Sequence, residues 1–143
     1  MLVCGVVNPP PETDPEYHGV YFNTRDDMEG KARGLKGTPL RVEHGAAADV
    51  GKVVDAWTDK RTGAMWALAE MNTSSMPGAL AAAAVQRGSW PEFSLGYSAE
   101  IQRDQTTQKL RVVKKTINEL SLVRKGARPG CHVVAHSAGL IHK

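Results

Sequence analysis

Cysteine is scarce in this chain. The 143 residues hold two, Cys4 and Cys131, at opposite ends. That is too few, and too widely separated, for a disulfide framework or a thiolate metal site, so two free thiols in a reducing compartment are expected. An excess of one charge is lacking too. The formal net charge is +3, and the basic residues are scattered, which excludes the clustered footprint of a nucleic-acid binder. No apolar run reaches the length of a membrane span. The N-terminus also lacks the charged-then-apolar layout of a signal peptide. The expectation is a soluble, intracellular protein with no membrane and no nucleic acid among its partners. Internal repeats, low-complexity tracts and linkers are missing as well. Residues 1–143 therefore read as one domain, with a core over 1–131 and a short C-terminal tail over 132–143.

What is present is punctuation. Glycine or proline recurs at roughly every tenth residue, a spacing that suits short strands. Leu2 to Val7 reads as a strand stopped by Asn8 and Pro9 to Pro11, because proline cannot donate to a ladder. Gly19 to Phe22 reads as a second strand. A helix capped by Asn23 or Thr24 follows, ending at Gly34. Pro39 to His44 and Val50 to Trp57 read as strands. Asp59 to Gly63 is a hairpin turn, and Ala64 to Met71 returns antiparallel. Trp57 and Trp66 then form a cross-strand pair. An alanine-rich helix from Pro77 to about Gln86, capped by Ser74 or Ser75, is ended by Gly88.

Phe93 to Ile101 alternates, with Ser94, Gly96, Ser98 and Glu100 on the face opposite Phe93, Leu95 and Tyr97. Leu110 to Lys114 and Ile117 to Val123 read as two further strands, the second with Glu119 and Ser121 on one face. The sum is an α+β, β-dominated fold: a small bent barrel of six or seven mostly antiparallel strands with two or more flanking helices.

One histidine, one serine and one carboxylate, each at the end of an apolar segment, is how a serine hydrolase distributes its parts. A serine hydroxyl is a poor nucleophile until a base within hydrogen-bond reach takes its proton. An imidazole titrates near neutral pH and can accept and return that proton. A carboxylate on the far ring nitrogen fixes the tautomer. Ser94, His44 and Glu119 are the candidates, with Ser98 the rival nucleophile. Each has a plainer explanation: a strand serine facing solvent, a surface histidine before a glycine, a solvated glutamate. Glu43 is too close to His44 on an alternating strand to share its face. His18, His132, His136 and His142 lie near turns or termini. Trp90, just before the serine strand, is a candidate for lining a groove.

Three runs carry a resemblance. Pro39-Leu40-Arg41-Val42-Glu43-His44, followed by Val50-Gly51-Lys52-Val53, is similar to the segment of herpesvirus assemblin that ends in its catalytic histidine. Phe93-Ser94-Leu95-Gly96-Tyr97-Ser98 resembles the serine strand of assemblins and of the prohead proteases of tailed phages. Glu119-Leu120-Ser121-Leu122-Val123, followed by Gly126-Ala127-Arg128 and Gly130, resembles their third-member strand and oxyanion loop. Where herpesviral assemblins carry a second histidine, this chain has Glu119, a carboxylate that is closer to the phage proteases. Where they carry paired arginines, only Arg128 matches, with Ala127 before it.

The resemblance implies a capsid-maturation serine endopeptidase that cuts scaffold and capsid-precursor proteins inside a viral procapsid, in a bacterial cytoplasm or a eukaryotic nucleus. Ser94 would be its nucleophile, His44 its base, Glu119 the orienting acid, and Gly126, Ala127 and Arg128 its oxyanion donors. It implies no cofactor and no metal, a homodimer or higher homo-oligomer, and extended peptide substrates with a small or acidic residue before the cut. The competing expectation is a non-catalytic β-barrel module that serves as a virion structural or binding part.

Overall fold

The computed structural model describes residues 1–10, 16–17, 20–21, 28–46, 48–126 and 130–137. The predicted cap at Asn23 or Thr24 falls outside them. The elements run β1 (Leu2–Asn8), β2 (Glu16–Tyr17), β3 (Val20–Tyr21), α1 (Met28–Leu35), β4 (Pro39–Val42) and β5 (Gly51–Thr58). After these come β6 (Met65–Met71), α2 (Met76–Gln86), β7 (Glu92–Arg103), β8 (Leu110–Val123) and β9 (Val133–His136).

Hydrogen bonding follows the order β3-β8-β4-β5-β6-β1-β9, with β2 beside β3 and β7 on the other flank of β8. The sheet curls until its ends meet. Phe93 N–H donates to the Cys131 carbonyl at 3.0 Å and Val133 N–H to the Pro91 carbonyl at 2.9 Å, so the start of β7 closes onto the approach to β9. The expected β-dominated, bent barrel is therefore the fold found. Most pairings are antiparallel, and β8 alone is parallel to its neighbours β3 and β4.

The core fills the inside of this curl. Val3, Leu40, Val53, Met65, Ala69, Phe93, Leu120 and Leu122 are buried, joined from the helices by Leu35, Ala81, Ala82 and Val85. The alternating strands supply one apolar face each, which is what a closed β layer needs. Trp57 and Trp66 stack as predicted, in register, with centroids 6.5 Å apart and planes 10° apart. Helix α2 begins where Ser75 accepts from Gly78 N–H at 3.1 Å and ends before Gly88, whose φ is 77°. No disulfide joins Cys4 and Cys131, and burial pushes the Cys4 thiol above its ordinary value.

Outside the turn that carries His44, three differences from the sequence reading shape the barrel. Helix α1 runs through Gly34 to Leu35, and Gly37 (φ 89°) makes the left-handed turn instead. Part of the expected tail is in the barrel. Residues 133–136 form β9 against β1, and this is possible because Gly5 has no side chain; a Cβ there would lie 2.1 Å from the His132 carbonyl oxygen.

The third difference bears most on the site. The two strands expected at Leu110–Lys114 and Ile117–Val123 are one, β8. Its ladder with β7 shifts register twice, between Gly96 and Tyr97 and between Glu100 and Ile101, leaving Asn118 and Val113 unpaired. A bulge inserts one residue and reverses the alternation beyond it, so a continuous strand reads in sequence as two. The turn joining β7 to β8 is fastened by Asp104, whose carboxylate accepts from Thr106 and Thr107 N–H at 2.8 and 2.9 Å. Those bonds, Thr107 first, hold its pKa below the usual carboxylate range.

Candidate active site

Strand β8 sets the register of the site. On one flank Ser94 of β7 stands opposite Ser121, and Gly96 opposite Glu119. On the other flank Arg41 of β4 stands opposite Ser121 and Val42 opposite Leu122. Directly opposed residues, and residues two apart on one strand, point to the same face of a sheet. Ser94, Gly96, Glu119 and Ser121 therefore share a face through backbone pairing alone.

His44 reaches that face from a turn. The sequence reading carries the strand to His44, but β4 stops at Val42, and Glu43 (φ 51°) and His44 (φ 58°) are both left-handed. Such conformations cost of order 1–3 kcal/mol each in non-glycine residues and persist only where surrounding bonds enforce them. Here Glu43 N–H donates to the Leu122 carbonyl at 3.0 Å, Gly45 N–H to the Val42 carbonyl at 2.9 Å, and His44 N–H to Ser121 Oγ at 3.0 Å. The Glu43 carboxylate is engaged elsewhere, accepting from Arg124 N–H at 2.8 Å, which agrees with its exclusion as a partner of His44. Arg41 and Asp49 pair at 2.9 Å across the ends of the loop.

The turn leaves the imidazole between the other two candidates. His44 Nε2 lies 3.0 Å from Ser94 Oγ, and His44 Nδ1 is hydrogen-bonded to Glu119 Oε1. The second carboxylate oxygen, Oε2, accepts from Ser121 Oγ at 2.7 Å. Burial rises along this chain of bonds: the His44 side chain is 43% exposed and that of Glu119 is 7% exposed. A buried carboxylate with both oxygens bonded can hold an imidazole tautomer, and a hydroxyl at the open end can meet a substrate.

The other sequence candidates separate. Ser98 accepts from Asn118 Nδ2 at 3.0 Å, four residues along β7 from Ser94. His132 is exposed and contacts the Gly130 carbonyl, and His136 lies exposed in β9. Trp90 packs against the core beside Pro91 and Val133, at the end of α2. Gly126 N–H, expected as an oxyanion donor, donates to Glu92 Oε1 at 2.7 Å and is occupied in this conformation. Ala127 and Arg128 lie outside the described residues. Among the described residues no cluster of His, Cys, Asp or Glu could hold a metal ion, and no helix is long and apolar enough to cross a membrane.

Two residues that sequence reasoning left without a role complete the site. Ser121 touches both His44 and Glu119. Gly96 provides space: a Cβ there would lie 2.0 Å from Glu119 Oε1 and 2.6 Å from its carboxyl carbon. Glycine is thus required under the carboxylate, for close approach rather than for a backbone angle. Gly96→Ala is expected to push the carboxylate off the imidazole. A displacement of about 1 Å at a positioning group is enough for a loss of roughly 100-fold. The expected result is that loss in turnover with an unchanged far-UV circular dichroism spectrum. Full turnover would mean that Glu119 does not set the imidazole.

Fold and site together define a bent β-barrel bearing a hydrogen-bonded serine, histidine and carboxylate on one face. No protein-family model matches the chain, and no curated protein matches it in sequence. Solved structures do match. The protease of Kaposi's sarcoma-associated herpesvirus, bound to a hexapeptide phosphonate inhibitor, aligns over 99% of this chain and 67% of its own, with a TM-score of 0.61 at 16% identity. The same protease with an allosteric inhibitor aligns over 99% and 81%, with a TM-score of 0.54 at 18% identity. With a dimer disruptor it aligns over 98% and 78%, with a TM-score of 0.51 at 17% identity. At these identities the likeness is one of fold, and the fold is that of herpesvirus assemblin.

Proposed function

We propose that this chain is a serine endopeptidase that cleaves scaffold and capsid-precursor proteins as a viral procapsid matures. One observation carries the reading: a single imidazole bonds Ser94 through Nε2 and a buried carboxylate through Nδ1. That is the connectivity acyl transfer needs. Ser94 Oγ attacks the scissile carbonyl carbon while its proton passes to His44 Nε2. The tetrahedral intermediate collapses, the C–N bond breaks, and His44 returns the proton to the leaving amine. Water then cleaves the acyl-enzyme by the same relay. Glu119 holds the tautomer and stabilises the imidazolium.

Oxyanion stabilisation is assigned to the loop from Gly126 through Ala127 to Arg128, with the Gly126 N–H becoming available once Glu92 releases it. The barrel shared with a protease that takes a hexapeptide phosphonate supports an extended peptide as substrate. The dimer disruptor that binds that protease supports a homodimer or higher homo-oligomer here. The proposed location is the procapsid interior.

Incubation with a fluorophosphonate, at concentrations that favour self-association, tests the assignment. Peptide mapping by mass spectrometry is expected to place the adduct on Ser94 and none on Ser98. An unlabelled protein would leave a β-barrel module without chemistry.

A further inference from the structure

Ser121 lies on β8 between the nucleophile's strand and the base's strand, and its side chain is fully buried. A buried hydroxyl has one proton to give and two lone pairs to offer. Here the proton goes to Glu119 Oε2 at 2.7 Å, and a lone pair takes the His44 backbone N–H at 3.0 Å. One side chain therefore joins the carboxylate to the backbone of the residue that the carboxylate orients. We propose that Ser121 is a positioning residue of this site, acting through Glu119 and His44 and touching no substrate. The proposal rests on the Ser94–His44–Glu119 reading and deepens it.

Two effects follow from that geometry. The hydroxyl bonds Glu119 Oε2, which leaves Oε1 to face the imidazole, so the carboxylate is held in one rotamer. On the other side, Ser121 secures the middle of a two-residue left-handed turn whose other bonds are made by Glu43 and Gly45. The imidazole sits on that turn. Loosening it shifts Nε2 relative to Ser94 Oγ, and transfer of a proton depends steeply on that placement.

Two variants separate positioning from packing. Ser121→Ala removes the hydroxyl with nothing added to the core, and Ser121→Thr keeps it. Losing a hydrogen bond to a charged group is expected to lower kcat of Ser121→Ala roughly 10- to 100-fold. KM should change less than about twofold, because no substrate contact is lost. Ser121→Thr should recover most of kcat. A merely structural role would instead lower the melting temperature of Ser121→Ala and leave kcat per folded molecule at the parent value, which overturns the proposal.

A second readout does not need turnover. The Nδ1–H proton of His44, bonded to Glu119, should give a far-downfield resonance in the parent protein that broadens or shifts upfield in Ser121→Ala. An identical resonance in both proteins also overturns the proposal. Failure of the underlying reading looks different. There the parent itself takes no phosphonate on Ser94, while the resonance still reports whether Ser121 sets the imidazole.

Discussion

Ser94→Ala is expected to abolish both peptide cleavage and phosphonate labelling while the barrel stays folded. Where a serine–histidine–carboxylate unit works together, removing the serine alone lowers turnover by roughly 10⁶-fold. The fold should tolerate the change. Ser94 is only partly buried, its contact with His44 lies in a solvent-exposed part of the site, and Ser121 is its ladder partner through the backbone. Loss of that hydrogen bond costs about 0.5–1.5 kcal/mol of stability, so the variant should unfold near the parent's midpoint. Ser98 is the rival nucleophile by sequence, but its hydroxyl is bonded to Asn118. Ser98→Ala should therefore retain near-parent cleavage. Steady-state turnover of an extended peptide, measured on both variants, decides the matter. Comparable residual activity in the two would remove Ser94 from its role, and the peptidase reading would go with it.

The site was more legible in the sequence than the strand that builds it. Each of the three side chains stood at the end of an apolar run, and the alternation around Ser94 and around Glu119 was clean enough to place each on a face. Alternation, however, reports only the parity of neighbouring residues. The bulges at Asn118 and Val113 reverse that parity within β8, so the chain reads as two strands with a break near Lys115 and Thr116. The turn at Glu43 and His44 was hidden for another reason. Left-handed backbone is ordinarily flagged by glycine or asparagine. Here it is imposed on a glutamate and a histidine by bonds from β8 and Arg124, which lie some 80 positions away in sequence.

Gly96 and Ser121 were visible as a small residue and a small polar residue on the right faces. Their roles depend on which residue each opposes, and the pairs Gly96–Glu119 and Ser94–Ser121 lie 23 and 27 positions apart along the chain, so their register is not a local property. β9 was missed in the same way, because its pairing depends on bare backbone at Gly5.

Glu119→Gln is expected to lower turnover by roughly 10⁴-fold with the barrel intact, and Ser121 explains why the loss should be so large. Glutamine matches glutamate in shape but has one acceptor oxygen where the carboxylate has two. Both positions are committed here: one accepts from Ser121 Oγ and the other faces His44 Nδ1. If the amide oxygen takes the Ser121 proton, the amide nitrogen faces Nδ1 and donates to it. The imidazole proton then sits on Nε2, toward Ser94, and the ring cannot accept the serine's proton. If the amide flips, the tautomer is correct but the Ser121 proton is left buried without an acceptor, at about 1–3 kcal/mol. The hydroxyl thus biases the variant toward the unproductive tautomer.

The double variant Glu119→Gln/Ser121→Ala lacks that bias, because alanine at 121 leaves either amide orientation open. Its turnover should match or exceed that of Glu119→Gln alone, although Ser121→Ala by itself lowers activity. Independent residues would instead give the product of the two losses. Kinetics of the four proteins complete the cycle. A multiplicative double variant would mean that Ser121 and Glu119 act on His44 separately, and near-parent turnover in Glu119→Gln would mean that some other group orients the imidazole.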